Sequence, residues 1–265
     1  MADCPADFHL PPAVAAFDAG VFLPRDDPDW FGRSAYPPRI LLLSGDALWA
    51  VPHPSANEAP CPCGLDRLSF VESGHMLLKG WLAFRGAGFN YTAPYNTRGL
   101  PSVLRFMRRF RSKWLGAARL AAPEVVLGDG LDVRFANALA DELDPGETVA
   151  AGFFQPPREL RGRWPLLRRQ WIPGDLVVAT RTRLMWITDR DCGSRLQYGS
   201  IASYAPLRAL QGLDLIARAN HCYLQVDLNG GLSWHIPIAA ERRSDAEKFA
   251  TRVEDWKVNS IPRTG

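Results

Sequence analysis

No stretch of about 18 consecutive apolar residues, the length a helix needs to cross a bilayer, occurs in the sequence, so no membrane span is expected. The start, MADCPADFHLPPAVAAFDAG, lacks the basic flank and the continuous apolar stretch of a secretory signal. A soluble chain in the reducing cytoplasm is the resulting expectation. Cysteine usage agrees with it, because five irregularly spaced cysteines make a poor disulfide framework. Charge of one sign is also scarce. A formal net charge of +3 does not mark a nucleic-acid binder, and none is expected as a partner. Motifs of catalysis are missing too: there is no Gly-x-Ser-x-Gly elbow, no Gly-Lys-Ser/Thr phosphate loop and no His-Glu-x-x-His zinc helix. Neither an enzyme activity nor a cofactor is therefore expected.

What is plentiful is proline and glycine, 22 of each, which suits many short strands joined by turns. The clearest example is PGDLVVATRTRLMWITDRD, starting at Pro173. Its apolar runs Leu176–Ala179 and Leu184–Ile187 flank Thr180-Arg181-Thr182-Arg183 and read as paired strands. A weaker copy stands earlier: Ile40–Leu43, the turn Ser44-Gly45-Asp46, then Ala47–Val51. Without a gap, Ile40 falls on Leu176, Ser44 on Thr180 and Leu48 on Leu184.

Around the first copy, a helical turn is expected at Ala13–Phe17 and a strand at Val21–Leu23. Beyond it come a loop over Pro52–Gly64, strands at Leu68–Val71, Met76–Phe84 and Phe89–Tyr91, and a turn at residues 85–88. Val103, Leu104, Met107, Phe110 and Trp114 then recur at helical spacing, with Arg105, Arg108, Arg109 and Lys113 largely opposite. Past a connector at 117–130, Leu131, Phe135, Leu139 and Leu143 predict a short helix, and Thr148–Phe154 a strand. The loop Pro156–Pro173 leads into the second copy. Strands follow at Arg195–Tyr198 and Leu210–Ala217. Cys222–Leu228 and Leu232–Ile238 alternate apolar and polar residues on either side of Asn229-Gly230-Gly231, a hairpin signal. Pro237 cannot donate to a ladder, so the last strand is expected to end there or to lie at an edge. A closing helix is marked by Ser244 and Glu247 as a capping box and by the stripe Ala246, Phe249, Ala250, Val253 and Trp256.

Strands first and one amphipathic helix last, twice over, resembles the bacterial type of pleckstrin-homology-like (PH-like) domain in tandem. The likeness is closest over Glu147–Trp256, in GDLVVATRTRLMWITD, RLQYGSIASY and the final helix, and looser over Val21–Leu115. It implies a mainly β protein with a few helices, divided at 1–116 and 117–265. Each domain would be two antiparallel sheets closed by a C-terminal helix. It also implies a binding or scaffolding module without chemistry of its own, so a protein or peptide partner is expected first, and exposed sheet edges admit a homo-oligomer.

In PH domains that bind phosphoinositides, the loop between the first two strands is basic. Here that loop, Arg158–Arg169, makes Arg161, Arg163, Trp164, Arg168 and Arg169 the candidate ligand-binding residues for an anionic membrane surface. It departs from the pattern in having no lysine and in mixing its arginines with apolar residues, which could equally pack against protein. His53, Cys61 and Cys63 share a loop, but Cys61-Pro62-Cys63 is spaced more tightly than a zinc knuckle and no second pair follows, so no metal is expected. Asp189-Arg190-Asp191 reads as a solvated turn, and Asp26, Asp27 and Asp29 have no histidine at suggestive spacing.

Overall fold

The computed structural model describes residues 8, 10–14, 16–24, 37–56, 58–76, 79–116, 130–160, 170–189, 199–218 and 221–260. The fold is mainly antiparallel β, with three α-helices among these residues. Two compact units divide the chain, Met1–Ala117 and Ala118–Gly265.

In the N-terminal unit, β1 (Ala19–Leu23), β2 (Arg39–Ser44), β3 (Ala47–Pro52) and β4 (Cys61–Gly64) form a sheet in sequence order. The hairpin β2–β3 closes on Ser44 opposite Ala47, with Gly45 at φ 52° in the left-handed region that glycine reaches without strain. All of Ile40, Leu41, Leu42 and Leu43 are buried, because both faces of β2 are covered. Ile40 and Leu42 meet Val51 of β3 together with Phe8 and Val14, which the chain around a 3-10 turn at Pro12–Val14 brings over; within the turn expected at Ala13–Phe17, Ala15 lies outside the described residues.

Next, β5 (Leu68–Met76), β6 (Lys79–Gly86) and β7 (Phe89–Asn96) pair as neighbours. The apolar stretch Met76–Phe84 is thus two strands rather than one. They meet at the register pair Met76–Lys79, and residues 77 and 78 lie outside those described. The loop expected at Pro52–Gly64 contains β4, whose Pro62 is tolerated on an outermost strand because no ladder there needs its N–H. Helix α1 (Leu100–Leu115) buries Val103, Phe106, Met107, Phe110 and Trp114, and Phe110 meets Phe84 edge-on at 5.5 Å between ring centres.

The C-terminal unit opens with α2 (Val133–Glu142), capped by Asp132, whose carboxylate accepts the Arg134 backbone N–H at 2.8 Å. Then come β8 (Ala151–Gln155), β9 (Arg158–Leu160), β10 (Gln170–Ile172), β11 (Asp175–Ala179), β12 (Arg183–Thr188) and β13 (Gly199–Pro206). The sheet order is β13-β12-β11-β8, so among the described residues β8 lies outermost, and β9 and β10 pair with each other as a separate ribbon. Pro156–Pro173 is therefore not all loop. The strand expected at Arg195–Tyr198 lies outside the described residues; the strand seen there begins at Gly199. Every residue of β11 is buried, again because both faces of the sheet are covered: on one, α2 contacts β12 and β13 and its Phe135 packs at a tilt on Phe154, 5.1 Å between ring centres, and on the other Phe249 of the closing helix meets Phe153 edge-on at 5.5 Å.

Three more strands, β14 (Leu210–Arg218), β15 (His221–Leu228) and β16 (Leu232–Ile238), form a second antiparallel sheet with Pro237 on the outer strand. Helix α3 (Arg243–Ser260) closes the unit against β8 and β14, burying Ala246, Phe249, Ala250 and Val253 and half-burying Trp256. The expected capping box does not form. Ser244 sits inside the helix, a 3-10 turn at Ala240–Arg242 leads into it, and Glu247 instead accepts Arg243 Nε at 2.8 Å. No helix among the described residues is long and apolar enough to cross a membrane.

Candidate functional site

Arg161, Arg163, Trp164, Arg168 and Arg169 lie outside the described residues, as do Asp26, Asp27, Asp29, Arg190 and Asp191. What is placed is the base of the arginine loop, where Arg158 faces Ile172 and Leu160 faces Gln170 across the β9–β10 ribbon.

The other sequence candidates are dispersed or occupied. His53 Nδ1 is 2.7 Å from the Ser55 hydroxyl, and its ring packs on Phe8. Cys63 is buried in β4, which pushes its thiol up to about 11 despite the nearby Arg67 charge, while Cys61 is exposed. No three His, Cys, Asp or Glu residues among those described converge as metal ligands. On α1, Arg105, Arg108 and Arg109 are exposed, Lys113 reaches the Asp18 carboxylate, and Phe106 is buried rather than free to stack. Asp189 is not in a solvated turn. It is 4% exposed, its Oδ1 accepts the Gly174 N–H at 2.6 Å, and burial raises its carboxyl despite that bond and the Arg134 charge.

A buried polar network fixes the first turn of the C-terminal sheet. Arg183, fully buried at the start of β12, donates through Nε to Glu147 at 3.0 Å and through Nη2 to the second Glu147 oxygen and to the Glu142 carbonyl. Its guanidinium lies over the Tyr204 ring at 5.5 Å. Thr180 and Thr182 donate their hydroxyls to the same carboxylate. Burial alone would push Glu147 up, but Arg183 and these hydrogen bonds hold it below the usual carboxylate range. The group is a clamp between the segment ahead of β8 and the β11–β12 turn. Both Glu147 oxygens accept hydrogen bonds from within the group, so it has the chemistry of structure rather than of catalysis.

A second network ties β8 to the far end of the unit. Gln155 donates to Asp175 at 3.1 Å and to the Pro237 carbonyl at 3.1 Å, and it accepts the Ala239 N–H at 2.7 Å. The Trp186 indole donates to the other Asp175 oxygen at 2.9 Å. These bonds fix where β8 stands relative to α3.

Between them the two elements leave a groove of about 440 Å³. Its floor is the outer edge of β8, from Ala151 to Phe154. Its opposite wall is the start of α3 and the turn before it, with Asp245, Lys248, Phe249 and Arg252 on one side of the helix and Arg242 leading in. These helix positions follow the i, i+3, i+4, i+7 spacing of a single face. Phe153 seals the bottom by meeting Phe249 at 5.5 Å. An outermost strand carries unpaired backbone donors and acceptors, so the groove can bind the backbone of another strand. Sequence reading placed both the strand and the helix but not their meeting. Only the aromatics hinted at it, since Phe153 of β8 and Phe249 of α3 are the two that meet.

The chain matches no protein-family model and no curated protein.

Proposed function

We propose that this chain is a non-enzymatic interaction module made of two PH-like domains, and that it takes an extended polypeptide along the outer edge of β8. The observation that carries this reading is the groove between β8 and α3, open beside an outermost strand and large enough to admit side chains as well as a backbone. The repeated order supports the domain assignment: four strands in one sheet, three further strands, then a closing helix, in each unit. The gap-free alignment of the two hairpins also supports it, since β2 and β11 begin at the aligned residues Arg39 and Asp175, and β3 and β12 at Ala47 and Arg183. On this reading the protein needs no cofactor.

The test is to probe an array of random peptides about ten residues long with the full chain, then to follow amide hydrogen exchange with each retained peptide. Slowed exchange at Ala151–Gln155 is the expected result, because an added strand occupies those backbone groups. Retained peptides that leave β8 unprotected, or an array that retains nothing, would remove the reading. Retention on phosphatidylserine vesicles, lost when Arg161, Arg163, Arg168 and Arg169 are changed to Gln, would instead favour a binder of anionic lipid headgroups.

A further inference from the structure

Resting on that reading, the charges around the groove say what the added strand must carry. Arg242, Lys248 and Arg252 line it against one carboxylate, Asp245, and Arg242 already holds that carboxylate at 3.0 Å. Lys248 and Arg252 are exposed and make no hydrogen bond or ion pair among the described residues. They stand four residues apart on one helix, where like charges repel. Two unneutralised cations side by side along a groove are a standing expense that an anionic occupant removes.

The N-terminal unit offers an internal comparison. There the closing helix α1 also packs on the first strand of its unit, and its Lys113 is neutralised from within by Asp18, the residue immediately before β1. The residue immediately before β8 is Ala150, which is buried and uncharged. One repeat supplies its own acid between helix and first strand, and the other leaves its cations open.

We propose that the β8–α3 groove is a docking site for an extended acidic segment of a partner protein, which adds as a strand to β8 and sets carboxylates against Lys248 and Arg252. The dimensions agree. Five residues of β8 extend about 17 Å at strand rise, and the helix side from Arg242 to Arg252 runs about 15 Å at helical rise. Successive side chains of an added strand alternate in direction, so every second residue faces α3 and an acidic residue at alternate positions meets the cations. A second copy of this chain is the poorer occupant, since pairing β8 with β8 would bring the same cations together.

Three labelled ten-residue peptides test this on the full chain: alternating Glu and Val, alternating Lys and Val, and alternating Thr and Val. Fluorescence anisotropy reads affinity and amide exchange reads location. The Glu peptide is expected to bind and protect β8, and to weaken on the order of tenfold or more between about 50 and about 500 mM salt. The double variant K248E/R252E changes only exposed side chains. It is expected to reverse the preference toward the Lys peptide, while circular dichroism shows the fold retained. If all three peptides protect β8 equally, the acidic specificity is wrong and the edge-docking function stands. If no peptide protects β8, the edge-docking function itself falls. Glu-peptide binding that K248E/R252E leaves unchanged puts the site elsewhere and overturns the inference. So does a dimer, seen by sedimentation without peptide, that already protects β8.

Discussion

Arg183 and Glu147 are individually awkward residues to bury, and each is tolerable only because of the other. Removing one partner strands a charge out of water, whereas an exposed pair simply rehydrates. Arg183→Met is therefore expected to lower unfolding free energy by about 3–5 kcal/mol, read as a reduced urea midpoint. Glu147 also sets a pH dependence. Its folded pKa lies below the ordinary 4.5, so its stabilisation is present above that value and is lost as pH falls through the depressed one. Asp189 acts in the opposite direction. Burial raises its folded pKa, so its contribution is full below the ordinary carboxylate value and declines as pH rises through the raised one. Asp189→Asn keeps an acceptor for the Gly174 N–H and sheds the buried charge. It is expected to be at least as stable as the parent at pH 7, with its advantage disappearing toward pH 3, by thermal melts across that range. Cys61 and Cys63 are two residues apart yet differ in environment. Because the thiolate is the reactive form, iodoacetamide at pH 8 should alkylate Cys61 well before Cys63, as mass spectrometry of peptides will show.

At the scale of elements, the packing is most particular where a glycine lies beneath an aromatic ring. An added Cβ at Gly80 would fall 2.3 Å from the Tyr95 ring, and one at Gly74 2.1 Å from Trp81, whose indole N–H is held by Glu72 at 2.6 Å. Gly80→Ala must displace a ring that is 1% exposed, and is expected to cost about 1–3 kcal/mol in chemical denaturation. Elements with a strong period of their own were legible in the sequence. The hairpins β2–β3, β11–β12 and β15–β16 and the stripes of α1 and α3 announce themselves through neighbouring residues. Strands recruited by distant partners were not legible. Cys61–Gly64 is four residues long and contains a proline and a glycine, both depleted in strands, and becomes β4 only because β3 offers a free edge. The capping box at Ser244 failed for a related reason: the preceding 3-10 turn runs straight into a helix that begins at Arg243, which puts Ser244 inside it and leaves Glu247 to Arg243. Half of the candidate site was legible in the same way. The cations of α3 stand in a readable helical face, but that β8 would lie outermost follows from β11 choosing its neighbours, which local pattern does not encode.

Across the whole molecule, charge has two separate roles, and ionic strength separates them. Among the described residues the pairs Lys113–Asp18, Arg134–Asp132, Arg242–Asp245 and Lys257–Glu254 are all at least partly exposed, and such pairs contribute about 0–1 kcal/mol each. The Arg183–Glu147 pair is shielded by burial and feels added salt little. Most of the stability instead comes from the doubly covered strands β2 and β11 and from the aromatic undersides of α1 and α3, which salt does not weaken. Raising sodium chloride from about 50 mM to about 500 mM is thus expected to move the thermal midpoint by no more than the few degrees that about 1 kcal/mol produces. The same change should release the acidic peptide from the groove, where Lys248 and Arg252 are screened as soon as ions reach them. Calorimetry and anisotropy on one salt series read both. A midpoint that falls in step with peptide affinity would mean that surface ion pairs hold the fold together, against the division of roles argued from burial.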